Sequence, residues 1–151
     1  MTSGTTITIG DGLLYIFCGG DGIDSNSRAS YSGIAFTGGK TVIVSTSGGN
    51  SAIDSEQGYS FSGGYVVAIM PRGGMSGEAT HCQNFASVGK NLSLSLTKGQ
   101  YIICDIGGQK LTLNMPATIS ASVVLLGSGN ATATASATSS YTLSEGEFMW
   151  D

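Results

Sequence analysis

Charge is what this sequence has least of. Only 11% of its 151 residues are charged, with 6 Lys and Arg against 10 Asp and Glu, for a formal net charge of -4. So few cations leave no electrostatic footprint for nucleic acid or an anionic membrane surface, and neither is expected as a partner. No apolar run reaches the roughly 18 residues of a membrane span. The start Met1-Thr2-Ser3-Gly4 lacks the basic and apolar regions of a signal peptide, so an exported protein is expected here in mature or excised form. Cysteine is limited to Cys18, Cys82 and Cys104, an odd number without metal-ligand spacing, which argues against a zinc site or a disulfide framework. Buried or free thiols are expected, with a Cys82 to Cys104 bridge left open. Catalytic material is equally scarce. The one histidine, His81, adjoins Cys82, too near in sequence to serve a nucleophile as base, and Arg28, Lys40 and Arg72 form no cluster. A non-enzyme is expected.

What the chain does hold is glycine, 24 residues against 2 prolines, together with much Ser, Thr and Ala. That balance favours short strands joined by tight turns, an all-β composition. The glycines are ordered. Gly19-Gly20-Asp21-Gly22-Ile23-Asp24 returns as Gly48-Gly49-Asn50-Ser51-Ala52-Ile53-Asp54, and Ile7-Thr8-Ile9, Ile34-Ala35-Phe36 and Tyr59-Ser60-Phe61 each precede a glycine bend. A second apolar run follows every bend: Leu14 to Cys18, Thr41 to Ser45 and Val66 to Met70. Repetition at about 25 to 30 residues, with variation confined to turns, predicts stacked coils of a solenoid. An antiparallel sandwich is the alternative, since glycine-punctuated strands suit it too.

Stacking sets equivalent residues about 4.8 Å apart and alternates side chains between inside and outside. Ile7, Ile34 and Tyr59 then form one interior ladder and Ile9, Phe36 and Phe61 another. On the second strands, alternation predicts Tyr15, Val42, Val67, Phe17, Val44 and Ile69 inside, with Leu14, Ile16, Ile43, Val66, Ala68 and Met70 outside. An outer face that apolar requires a cover. The lapse of periodicity from Pro71 to Lys90 reads as a connection. Leu92 to Leu96, Tyr101 to Ile106, Leu111 to Leu113 and Ser122 to Leu126 then read as antiparallel hairpins, with turns at Lys98-Gly99-Gln100 and Gly107-Gly108, that cover or cap the coils. The expected division is parallel β-helix coils over 1-87 and an antiparallel capping segment over 88-151 packed on them as one structural unit.

The order of Asp21-Gly22-Ile23-Asp24-Ser25-Asn26, Ile34-Ala35-Phe36-Thr37-Gly38-Gly39, Ala52-Ile53-Asp54 and Phe61-Ser62-Gly63-Gly64 resembles the bacterial carbohydrate-binding-domain family of right-handed parallel β-helices. The resemblance implies a short polysaccharide-lyase-like β-helix at the C-terminal end of a longer arrangement. It further implies an extracellular or cell-surface protein that binds polysaccharide, cellulose or pectic acid, with calcium. Members are usually several times longer, so sites in further coils cannot be carried over to this chain.

Two candidate sites follow. Aligned Asp24 and Asp54 would stand about 5 Å apart and repel by about 1 kcal/mol even in water. Calcium held by Asp21, Asp24, Asn26, Asn50, Asp54 and Glu56 would remove that repulsion and receive the six to eight oxygens it prefers. The competing reading has these side chains bonding backbone amides in turns. For glycans, Tyr31, Tyr65 and Trp150 are the candidate stacking rings, each also explicable as packing. Beside polysaccharide binding stands self-assembly. The first coil, around Thr5 to Ile9 and Gly12 to Cys18, offers an unguarded strand edge, and head-to-tail contacts there would build a homo-oligomer, polymer or filament. The apolar end at Trp150 could be donated as a strand to a neighbour.

Overall fold

The computed structural model describes Thr2–Ser3, as backbone, and residues 6–151, and the chain is all-β. The glycine-bounded apolar runs of the first half become β1 (Thr2–Ser3), β2 (Ile7–Ile9), β3 (Leu13–Cys18), β4 (Ile23–Ser25), β5 (Ile34–Ser45), β6 (Ile53–Ser55) and β7 (Tyr59–Pro71). All pair in parallel, with repeated residues opposite one another. Ile7, Ile34 and Tyr59 align across β2, β5 and β7, as do Ile9, Phe36 and Phe61. Tyr15, Val42 and Val67 align across β3, β5 and β7. A separate parallel sheet of β1, β4 and β6 sets Ile23 against Ile53 and Asp24 against Asp54.

The bend between the two runs is where sequence reasoning misplaced the side chains. Ile43, Val66, Ala68 and Met70 share a core with Ile7, Ile34, Phe36, Tyr59 and Ile53, and Leu14 and Ile16 pack against it. Val42, Val44, Val67 and Ile69 face the opposite way, into a second core against which Tyr15 packs. Inside and outside are therefore exchanged along the second runs, and Phe17 is 52% exposed. The cause is the corner. Gly12, Gly39 and Gly64, which precede the paired Leu13, Lys40 and Tyr65, all adopt left-handed φ, at 78°, 79° and 93°. The β5–β7 register also shifts between Phe36 and Lys40. A strand that turns through such a corner loses its two-residue alternation. Glycine is required there sterically as well, since a Cβ on Gly63 would lie 2.5 Å from the Thr37 carbonyl oxygen.

The connection contains a 3-10 helix, Gly74–Thr80, and a four-residue helix α1, Phe85–Val88, neither signalled by the sequence pattern. Six strands follow: β8 (Gly89–Leu96), β9 (Tyr101–Ile106), β10 (Gln109–Asn114), β11 (Ile119–Leu126), β12 (Ala131–Ser136) and β13 (Phe148–Trp150). β11 lies antiparallel on β7 and β8 antiparallel on β11, extending the main sheet in the order β2-β5-β7-β11-β8 with β3 also on β5. The other four form an antiparallel sheet, β12-β9-β10-β13. Gly107 and Gly108, both at positive φ, close a two-residue hairpin between β9 and β10, as expected. Lys98-Gly99-Gln100 does not close one. β8 pairs with β11 while β9 pairs with β10 and β12, so this turn carries the chain from one sheet to the other. The physical reason is burial: Leu96 and Ile102, on either side of the turn, enter the same second core, as facing layers allow.

That second core joins Val42, Val44, Val67 and Ile69 to Ile102, Cys104, Ile106, Leu111 and Leu113. The second half thus covers an apolar face of the parallel ladders, though the face made by Val42, Val44, Val67 and Ile69. Cys82 belongs to the first core and Cys104 to the second, and all three cysteines are free, which excludes the Cys82 to Cys104 bridge. The C-terminal strand β13 stays in its own molecule, pairing with β10 through Leu111, Thr112 and Leu113.

The two ends of the parallel ladders differ. β2 and β3 pair only with β5, and β1 only with β4, so among the described residues no strand covers their outer side. Thr5, part of the expected open edge, lies outside the described residues. At the other end β11 pairs with β7, and the Tyr59 and His81–Gln83 backbones exchange hydrogen bonds of 3.0 Å.

Candidate functional site

Strand pairing brings part of the acidic set together. Asp24 and Asp54 are direct neighbours across β4 and β6, both half-buried. Asp21 precedes β4 and accepts a 2.8 Å hydrogen bond at Oδ1 from the Ser51 backbone N–H, the turn-bonding role that competes with metal ligation. Burial raises the Asp54 carboxyl to about 6, with Asp21, Asp24 and Glu78 adding their negative charge. Burial and Asp21 raise Asp24 as well. Glu78, on the 3-10 helix, is a member that sequence reasoning missed, because only the fold of the connection brings it near Asp54. Asn26 and Glu56 are exposed and Asn50 is half-buried. Crowded carboxylates of this kind suit a cation electrostatically. Among the described residues, however, no group of three or more His, Cys, Asp or Glu side chains is arranged to hold a metal ion.

The three candidate rings are half-buried and go to two places. Tyr31 stands edge-on to His81, with centroids 5.6 Å apart, beside Gly58, where a Cβ would strike the ring. Tyr31 also has a left-handed φ of 55°, and its N–H donates to the Gln57 carbonyl. Trp150 packs between the layers, 6.3 Å from Tyr65, with Lys40 Nζ 5.8 Å from its ring. Its indole N–H is buried without a hydrogen-bond partner.

Tyr65 borders a cavity. This cavity, about 250 Å³, is bounded by Phe61, Ser62, Gly63, Gly64, Tyr65, Asn84, Val88 and Ser128. It forms because neighbours of β7 change there. Before it, the Asn84 Nδ2 donates to the Phe61 carbonyl at 3.1 Å, standing in for a strand. Beyond it, β11 begins pairing at Val66. Between Phe61 and Val66 the main chain is paired on the β5 side only, and the bend opens beside it. The far wall is fixed by the Gly127 N–H donating to the Val88 carbonyl at 3.0 Å. Of these residues the sequence singled out only Tyr65 for binding, and Phe61-Ser62-Gly63-Gly64 as a strand end and bend. Asn84, Val88 and Ser128 come from segments whose proximity depends on the tertiary fold.

The His81–Cys82 pair shows no catalytic arrangement. His81 is exposed against Tyr31, while Cys82 is buried, its thiol raised by desolvation and donating to Asn84 Oδ1 at 3.4 Å. A reactive cysteine needs the opposite shift. The chain matches no protein-family model, no curated protein and no solved structure.

Proposed function

We propose that the chain is a non-catalytic polysaccharide-binding protein, extracellular or attached to a cell surface, built as a short right-handed parallel β-helix with an antiparallel β cover. In-register parallel pairing of repeated residues supports the helix reading. The observation that carries binding is the cavity at the glycine bend, which Tyr65, Asn84, Ser62 and Ser128 line beside a one-sided strand. Sugar recognition uses that combination, an apolar platform with a few placed polar groups. Affinity electrophoresis through gels containing hydroxyethylcellulose or polygalacturonate tests it. Retardation by either supports the reading, and unretarded migration in both, with and without a chelator, removes it.

Calcium enters this reading only through the Asp21, Asp24 and Asp54 crowding, since the residues present do not make a complete ligand set. Melting with calcium against chelator decides that part. A cation at the ladder raises the melting temperature of the parent protein and not that of Asp54→Asn.

A second reading, self-assembly into a homo-oligomer or filament, is favoured by one observation. β3 is an edge strand paired only with β5, carrying Leu13 and Phe17 at 60% and 52% exposure. Edge strands of monomeric proteins are ordinarily guarded by charge, proline or a bulge, and β3 has none of these.

A further inference from the structure

The cavity at the glycine bend carries no charged side chain. Its polar lining residues are Ser62, Ser128 and Asn84, with the Ser62 hydroxyl also donating to the Phe36 carbonyl at 3.5 Å, and its apolar ones are Phe61, Val88 and Tyr65. We infer that this cavity is a subsite for one neutral pyranose ring of a glucan-type polysaccharide, with Tyr65 as platform and Ser62, Ser128 and Asn84 as hydrogen-bonding partners. The inference rests on the polysaccharide reading and narrows it to a ligand class and a place.

Size sets the first limit. Pockets for drug-sized ligands run from about 300 to 1,000 Å³, so a space just below that range suits a single ring rather than a long chain segment. Hydrogen bonding sets the second. Sugar hydroxyls both donate and accept, and serine hydroxyls and an amide reciprocate both roles. Asn84 is already oriented, its Nδ2 held by the Phe61 carbonyl and its Oδ1 by the Cys82 thiol, which leaves one amide hydrogen and one lone pair to offer. Tyr65 is likewise held from behind. Gly127 lies so close that a Cβ there would come within 3.3 Å of the ring, and Trp150 packs 6.3 Å away. A fixed ring and a fixed amide lose little freedom on binding, which favours affinity from few contacts.

Charge sets the third limit and separates two sugars of similar shape. A uronate ring differs from its neutral counterpart by a carboxylate. Burying that group without a cation or a matched donor set is unfavourable. No Lys or Arg lines the cavity. The neutral sugar is therefore selected and pectic acid disfavoured at this position.

The test titrates cellohexaose, and separately oligogalacturonate, into the protein by calorimetry. The parent is compared with Tyr65→Ala and with Ser62→Leu. Ser62 lines the cavity, is exposed and belongs to neither core, so a larger side chain there crowds the cavity while leaving both cores in place. The expected result is heat from cellohexaose, weakened at least tenfold in both variants, with Ser62→Leu melting like the parent and oligogalacturonate giving no signal. Cellohexaose binding unchanged in Ser62→Leu overturns the subsite and leaves polysaccharide binding standing. Binding of oligogalacturonate alone overturns the neutral class and likewise leaves the broader reading. No heat from either sugar, together with unretarded migration in both polysaccharide gels, overturns both.

Discussion

Asp54 shows how a single side chain acquires a property from its place in the ladder. Its carboxyl, raised to about 6 by burial and by neighbouring Asp21, Asp24 and Glu78, holds a proton more tightly when folded than when unfolded. Stability from this group is then fullest below the ordinary carboxylate pKa of about 4 and is lost as pH rises through about 6. Asp54→Asn removes the loss. Urea melts should show the variant gaining on the parent between pH 4 and 7.5 by roughly 1 kcal/mol, a figure reduced for the solvent that reaches this half-buried group. An unchanged difference across that range contradicts the assignment. Tyr59 makes a comparable case in the core. Its hydroxyl is fully buried and donates to the Ala79 carbonyl at 2.5 Å, linking β7 to the 3-10 helix. Tyr59→Phe leaves that carbonyl without its partner, and equilibrium unfolding should register a loss of about 1 to 3 kcal/mol.

At the scale of elements, the corners of β5 and β7 explain both what the sequence disclosed and what it concealed. Parallel partners were legible because the same residue types recur before and after each bend: Ile7 with Ile34 and Asp24 with Asp54 are opposite one another in the structure. Facing directions were not. Alternation was carried through Gly38-Gly39 and Gly63-Gly64, where left-handed glycines and a register shift reverse it. Nor could Asn84 or Glu78 be found, since their roles arise from the path of a connection without repeat. The bend should resist substitution accordingly. Gly63→Ala places a methyl 2.5 Å from a backbone oxygen that has little room to retreat, and a destabilisation of about 1 to 3 kcal/mol is expected in urea melts. β13 offers the contrasting case of a short element held by two rings. Phe148 packs 5.0 Å from Tyr15 and Trp150 lies beside Tyr65. Phe148→Ala, at a half-buried site, should cost about 2 kcal/mol and lower the melting temperature by about 4 to 8 °C.

The whole molecule has two unlike edges on its main sheet. β3 at one edge is a nearly continuous apolar run, the pattern of a strand with neighbours on both sides, yet only β5 adjoins it. β8 forms the other edge, and because β11 is antiparallel to both β7 and β8, β8 runs in the same direction as β3. The surroundings differ in charge. Asp11 precedes β3 and Lys90 lies on β8, whereas Lys98 beyond β8 is already paired with Glu145 at 3.5 Å and Lys40 stands opposite Leu13. Two such edges can meet between copies without reversing direction, and a contact between different surfaces continues indefinitely unless its rotation closes a ring. Self-assembly therefore makes a sharper demand than association alone. Light scattering over a range of concentrations should show growth that weakens in high salt, as screening reduces the attraction between the edges. Phe17→Lys, which places a charge on the exposed edge without disturbing either buried core, should return the protein to monomers. A parent protein that stays monomeric at every concentration, or growth that Phe17→Lys leaves unchanged, removes β3 as the joint, and the exposed Leu13 and Phe17 would then need another partner.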